Sequence, residues 1–349
     1  MRLVMPDRGQ GWQPFSRCLT TARRVVVLVG GLVLLVPLLA GCGAPSFLIT
    51  PVSSSPKLEE VEVQPGEGLS SDRVAVVEIE GMLVNARVGG LLQGTENPLS
   101  RFSQQLDKAA KDRRVKAVVL RINSPGGTVT CSETMYRLVR RFKEKTGKVV
   151  IAAAQEVSAS GGYMVALSAD RIVATPTSVV GSIGVIFQTF HVEQTLGFIG
   201  VKVETIKSGE LKDMGSPFRS MNERDRKVIE DMVEGFYARF VGLLRERRGL
   251  TDEATLKTAT DGRVFTGEQA LALGLVDQLG SLEETIDLAR QLAGAPKARA
   301  VMYIRPYGYT GSIYASQPLS PARSERGAVF ELPESLQPLP AGFYYLWRP

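Results

Sequence analysis

Residues 115–154 read VKAVVLRINSPGGTVTCSETMYRLVRRFKEKTGKVVIAAA, and the spacing of the apolar residues changes twice within them. Val115–Ile122 is a short, β-branched apolar run of strand length. Met135, Leu138, Val139 and Phe142 then recur three or four positions apart, as on one face of a helix that Gly147 can terminate, and Lys148–Ala154 is apolar and strand-like again. The same alternation continues on both sides. VAVVEIEGMLV (74–84) predicts a strand, Phe102, Leu106 and Ala109 mark a helix, a short helix follows at Tyr163–Ala169, and Arg171–Ala174 predicts a strand stopped by Thr175-Pro176. Strands alternating with helices argue for an α/β fold, a parallel sheet of βαβ units with crossover helices. Further on, Val201–Ile206 predicts another strand. Val228, Val233, Phe236, Phe240 and Leu244 form the stripe of a long helix, and Ser281 with Glu284 makes a capping box for a helix reaching Ala293.

Composition bounds the rest. The 349 residues are 44% hydrophobic, enough for a substantial core. The formal charge of +6 is concentrated at the amino terminus, where Arg2, Arg8, Arg17, Arg23 and Arg24 face only Asp7, so nucleic acid is not implied as a partner. After Arg23-Arg24 comes an uncharged stretch, Val25–Gly41, at the short limit for spanning a bilayer, and it reads as a targeting segment. It ends in Leu39-Ala40-Gly41-Cys42, which resembles the lipobox of bacterial lipoproteins, whose cysteine is lipidated. An uncleaved signal anchor is the alternative, and both export the remainder. The organisation expected is therefore a signal peptide over 1–41, a flexible tether over 42–72, a catalytic domain over 73–304 and a tail over 305–349. The tail's aromatic end, Phe343–Trp347, is too apolar to be only solvated and is expected to dock. Cys131 is the one cysteine of the exported part besides Cys42, so no disulfide is expected within the domain.

Three glycine-bearing turns sit at strand ends: Asn123–Gly127, Ser158–Gly162 and Gly181–Gly184. In α/β sheets, sites form in such loops. Ser160 stands where a helix begins, beside unpaired N–H groups suited to a developing oxyanion. A plain N-capping role accounts for it equally well at this level. A nucleophilic serine needs a base. The single histidine, His191, lies at the start of a polar helix and fits a surface position better than a triad. Lys212, in IKSGELKDMGSPFR, would need its pKa lowered by roughly three units, about 4 kcal/mol, and nothing local establishes the burial that would do so. Ser54-Ser55-Pro56-Lys57 has a Ser-x-x-Lys spacing, but Pro56 denies it a helical turn. Cysteine and histidine are too few and scattered for zinc.

The runs LRINSPGG (120–127), EVSASGGYMVALSADRIVATPTSVVGSIGVIFQTF (156–190) and IKSGELKDMGSPFR (206–219) together closely resemble the half-length signal peptide peptidase A enzymes, peptidase family S49, over about residues 74–304. The resemblance implies a Clp protease/crotonase-like fold and a Ser/Lys endopeptidase without metal or cofactor, acting on remnant signal peptides or other apolar segments. It assigns Ser160 as nucleophile, Lys212 as general base, Ser182 as the hydroxyl orienting the lysine, and the N–H groups of Gly127 and Gly161 as oxyanion hole. It further implies a ring- or dome-shaped homo-oligomer in which serine and lysine come from neighbouring subunits, so that one chain need not bring them together. The family usually has a transmembrane anchor where this chain has Leu-Ala-Gly-Cys, and the tail after Arg305 matches less clearly. Alternatives are a crotonase-like acyl-CoA enzyme, disfavoured by export, and an inactive scaffold that binds membrane proteins.

Overall fold

The computed structural model describes residues 58–68, 70–86, 97–305 and 342–348. In chain order the elements are β1 (Glu59–Gln64), β2 (Arg73–Glu80), α1 (Pro98–Lys111), β3 (Val115–Ser124), β4 (Gly126–Thr128), α2 (Val129–Thr146) and β5 (Val149–Ala159). There follow α3 (Gly161–Ala166), β6 (Arg171–Ala174), β7 (Val179–Gly181), β8 (Ile186–Gln188), α4 (Glu193–Phe198), α5 (Glu223–Arg248) and α6 (Glu253–Ala259). The last are β9 (Val264–Thr266), α7 (Gly267–Ala272), β10 (Gln278–Leu279), α8 (Leu282–Leu292), β11 (Arg299–Ile304) and β12 (Gly342–Leu346).

The main sheet runs β1-β11-β2-β3-β5-β6-β10, with β7 joined to β5 and β9 to β7. From β11 to β10 its neighbours are parallel, and β1 is antiparallel to β11. Strands covered on both faces read as unbroken apolar runs. Val77, Leu120 and Ala152 pack on one face with Phe102, Met135, Met164 and Phe240 from the helices, while Val76, Val119 and Ile151 pack on the other with Leu282 and Ile286 of α8. Ala152–Ala154 and Val180 belong to this core. α2 ends at Gly147 with φ 67°, the left-handed cap its sequence called for, and Ser281 and Glu284 form the capping box of α8.

Three expectations are corrected. The strand over Val74–Val84 stops at Glu80, because Gly81 turns the chain with φ 67°. The tether expected to reach residue 72 is already inside the sheet at Glu59: Val61 and Val63 pack on the α8 side, and Arg73 bonds both Glu60 of β1 and Asp112 at 2.7 Å. Val201–Ile206 forms no strand, since no described strand pairs with it. Ile206 is 96% exposed, so the apolar pattern is real but has no strand partner among the described residues. In α5 the buried stripe is Ile229, Phe240, Leu243 and Leu244, with Val228, Val233 and Phe236 only half-buried. The targeting segment, Cys42 and Ser54–Lys57 lie outside the described residues. Among the described residues no helix is long and apolar enough to cross a membrane.

Candidate active site

β5 is long enough to do two things. Its first half pairs with β6 and its end, Val157–Ala159, pairs in parallel with β7, setting Ala159 opposite Gly181. The residues after this pair are Ser160 and Ser182, and they are the two non-glycine residues with positive φ among the described residues, at 49° and 50°. Such a backbone costs an L-residue about 1–3 kcal/mol and persists only where the surroundings impose it. Here Ser160 N–H donates to Gly181 O at 2.7 Å, Met164 N–H donates to Ser160 O at 2.9 Å, and Ser182 N–H donates to Arg263 O at 2.7 Å. Ser160 occupies the N-cap position of α3, yet its side chain makes no capping hydrogen bond. The capping role is therefore set aside. Ser160 is buried, 1% exposed, and its hydroxyl stays uncommitted beside the amino end of α3. Tyr163 of the Ser-Gly-Gly-Tyr run fixes that short helix by donating from its buried hydroxyl to Leu275 O at 2.7 Å.

Gly161 is the first residue of α3, so its N–H has no intrahelical acceptor. Gly127 lies in β4. The Pro125-Gly126-Gly127 turn is clamped by Ser124, whose hydroxyl donates to Gly81 O at 2.7 Å and accepts from Gly126 N–H at 3.1 Å. Leu83 closes the other side, giving its N–H to Gly126 O and accepting from Thr128 N–H. Contact there is so close that a Cβ on Gly127 would lie 2.0 Å from Leu83 O. A Cβ on Gly126 would lie 2.7 Å from Gly161 N and 2.0 Å from Tyr345 O, which places both glycine turns and the C-terminal strand around one point.

That strand, β12, was foreseen only as an apolar tail that docks. It lies between β4 and β8, antiparallel to both, with Tyr345 opposite Gly127 and Phe343 opposite Phe187. Phe343 and Tyr345 point toward α5, where Phe343 meets Phe187 and Phe236 at ring-centroid distances of 4.8 and 5.3 Å and Tyr345 meets Phe240 at 5.0 Å. Tyr344 and Leu346 point the other way, against Met82. Alternation of these five residues was the available signal for a strand, but its seat depends on contacts far apart in sequence.

The two candidate bases lie apart from this cluster. Lys212 is exposed, and no hydrogen bond or ion pair joins its amine to Ser160, Ser182 or any other described residue. Its place on the surface is nevertheless fixed. Asp213 accepts from Lys207 and Arg219 at 2.7 Å each, and Arg219 also binds Asp225, the buried carboxylate of the α5 capping box. Hydrogen bonds from Arg219 and Lys207 hold the Asp213 carboxyl well below the usual range, so the bracket stays charged. His191 is exposed, precedes α4 rather than opening it, and has no hydrogen-bond partner among the described residues, so a triad through it gains no support. Burial pushes the Cys131 thiol up to about 11, which leaves it inert. Among the described residues no group of three or more His, Cys, Asp or Glu could hold a metal ion.

The model of peptidase family S49 matches residues 142–296, which hold Ser160, Ser182 and Lys212. Two relatives bear the names "Putative protease" (Methanocaldococcus jannaschii; 41% identity, 57% of this chain and 63% of that one) and "Putative signal peptide peptidase SppA" (Enterococcus faecium; 33% identity, 68% of each chain). Protease 4 of Salmonella typhi is 35% identical over 59% of this chain, but the match spans only 33% of that larger protein. With its mixed α/β architecture and largely parallel central sheet in the Clp protease/crotonase-like manner, the chain belongs to peptidase family S49.

Proposed function

We propose that the chain is a serine endopeptidase of the bacterial cell envelope that uses Ser160 as nucleophile and Lys212, supplied by a neighbouring copy, as general base. The observation that carries this reading is the uncommitted hydroxyl of Ser160, held at positive φ at the start of α3 and surrounded by the Gly126-Gly127 turn and the N–H of Gly161. Neutral Lys212 takes the Ser160 proton as the oxygen attacks a peptide carbonyl, and the amides of Gly127 and Gly161 stabilise the oxyanion. The lysine then returns the proton to the leaving amine, and water hydrolyses the acyl-enzyme. Ser182, aligned with Ser160 across the β5–β7 pair, orients the incoming amine, and a cavity of about 490 Å³ lined by Ser182, Ile186 and Tyr237 gives that amine room to arrive. The chemistry calls for neither metal nor cofactor.

The apolar exposed segment around Val201–Ile206, close in sequence to Lys212 and without a strand partner among the described residues, supports a homo-oligomer in which the dyad is shared. The name of the Enterococcus faecium relative supports remnant signal peptides, or similar apolar segments, as substrates. Attachment through lipidated Cys42, with the domain on the extracytoplasmic side, completes the reading and rests on the Leu-Ala-Gly-Cys sequence. The test is turnover of an apolar peptide by three full-length variants. Ser160→Ala and Lys212→Ala should each abolish it, and His191→Ala should retain it with the rate still rising toward alkaline pH. A dead His191→Ala beside an active Lys212→Ala would replace the dyad with a triad. Palmitate labelling that disappears in Cys42→Ser checks the anchor.

A further inference from the structure

We propose that Arg219 is the positioning residue for Lys212, its guanidinium tying the turn that carries the lysine to the capped start of α5. The proposal rests on the assignment of Lys212 as general base. Between α4 and α5 the chain forms no helix or strand, and the backbone bonds on either side of Lys212 are local. Its N–H donates to Gly209 O at 3.1 Å, that of Met214 to Leu211 O at 3.1 Å, and that of Ser216 to Asp213 O at 3.0 Å. An exposed side chain carried on such turns keeps its place only if the turns are fixed to the body of the domain.

Two arginines make that connection to α5, and burial decides between them. Arg224 pairs with Glu210, but their side chains are 72% and 77% exposed, and a pair so placed contributes little. The Arg219 side chain is 23% exposed, and its two ends hold different groups. Nη2 donates to Asp213, the residue after Lys212, at 2.7 Å, while Nη1 donates to Asp225, the fully buried carboxylate that closes the α5 capping box with Asn222. Hydrogen bonds from Arg219 are the first cause holding both carboxyls below the ordinary aspartate range, so the bridge stays charged at both ends. A planar guanidinium can span two carboxylates in a fixed geometry, whereas the ammonium of lysine has no such fork. The effect falls on kcat, because a base acts only within hydrogen-bond reach of the proton it takes, and a displacement of about 1 Å costs on the order of a hundredfold. Arg219 does not line the cavity beside Ser182, so substrate binding is left alone.

Steady-state kinetics on an apolar peptide test this with five full-length variants: Arg219→Gln, Arg219→Lys, Asp213→Asn, the Arg219→Gln, Asp213→Asn double variant, and Arg224→Gln. Expected are a kcat about 10- to 100-fold lower in Arg219→Gln at a KM within about twofold of the parent's, partial recovery in Arg219→Lys, and an unchanged kcat in Arg224→Gln. The double variant should lose no more than the worse single one, since both remove the same bridge. If Arg219→Gln does not fold, Asp213→Asn, which leaves Arg219 on Asp225, carries the same kcat test. A raised KM at the parent's kcat, losses that add in the double variant, or an Arg224→Gln as impaired as Arg219→Gln overturns the proposal. So does an Arg219→Gln that turns over like the parent beside a dead Lys212→Ala, which leaves the base assignment standing, whereas an active Lys212→Ala removes that assignment itself.

Discussion

Ser160 does not choose its backbone conformation for its own comfort. At φ 49° and ψ −115° it lies outside the basins open to L-residues, and Ser182 shares the positive φ across the β5–β7 pair. The consequence is measurable apart from activity. Ser160→Ala keeps a Cβ and its strain, whereas Ser160→Gly removes both, at the price of a more flexible unfolded chain. Both variants lack the proposed nucleophile and should be inactive, yet the glycine variant should be the more stable by about 1 kcal/mol, since relief of 1–3 kcal/mol of strain outweighs the entropy term. Denaturant midpoints of the two check this. A glycine variant no more stable than the alanine one would mean that the site stores no strain at this residue.

Among the elements, the joint where α1 ends and β1 meets the sheet is held by one carboxylate. Asp112 caps α1 and bonds Arg73, which also reaches Glu60 of β1. Burial works against its charge, but hydrogen bonds from Arg114 and the nearby Arg73 guanidinium prevail and hold the carboxyl at about 2, against 3.8 for the free group. A lowered folded-state pKa gives stability that is complete above the unfolded value and lost as pH falls through the folded one. Asp112→Asn should therefore cost about 1–2 kcal/mol at neutral pH, and thermal melts should show the gap to the parent closing as pH drops through 3.8 toward 2. This joint was not legible in the sequence, where Glu59–Gln64 sits among the prolines, glycines and glutamates of a supposed tether. The parallel sheet was legible, because strands buried on both faces leave continuous apolar runs, and so were the caps of α2 and α8, which are local. Of the site, the position of Ser160 at a helix start could be read from its glycine turn. Its positive φ, the Ser124 clamp under Gly127 and the seat of β12 could not, since each is set by residues distant in sequence. Lys212 came from resemblance alone, as no local pattern reports the environment of a lysine.

For the molecule as a whole, the surface from β8 to the start of α5 is the feature the fold leaves unexplained by itself. Phe198 and Ile206 are 93% and 96% exposed, and Phe190, Ile199 and Phe218 are more than two-fifths exposed, on the same stretch that carries Lys212. Apolar exposure on this scale marks an interaction surface. A second copy is the partner that would also deliver an amine to a serine lacking one. If each Ser160 is served by the next copy's Lys212, two dead variants can rescue each other: a Lys212→Ala copy offers its intact serine to the intact lysine of a Ser160→Ala neighbour. Random assembly of equal amounts in a head-to-tail ring pairs them so at about one interface in four, so the co-assembled mixture should recover about a quarter of the parent's turnover per chain. Each variant alone stays silent, and so does a mixture prevented from exchanging subunits. Co-expression of the two variants, separated by distinct tags and assayed after joint purification, is the measurement. A co-purified mixture that remains inactive while the parent turns over would put both dyad members in one chain, and the exposed position of Lys212 would then have to change on binding substrate.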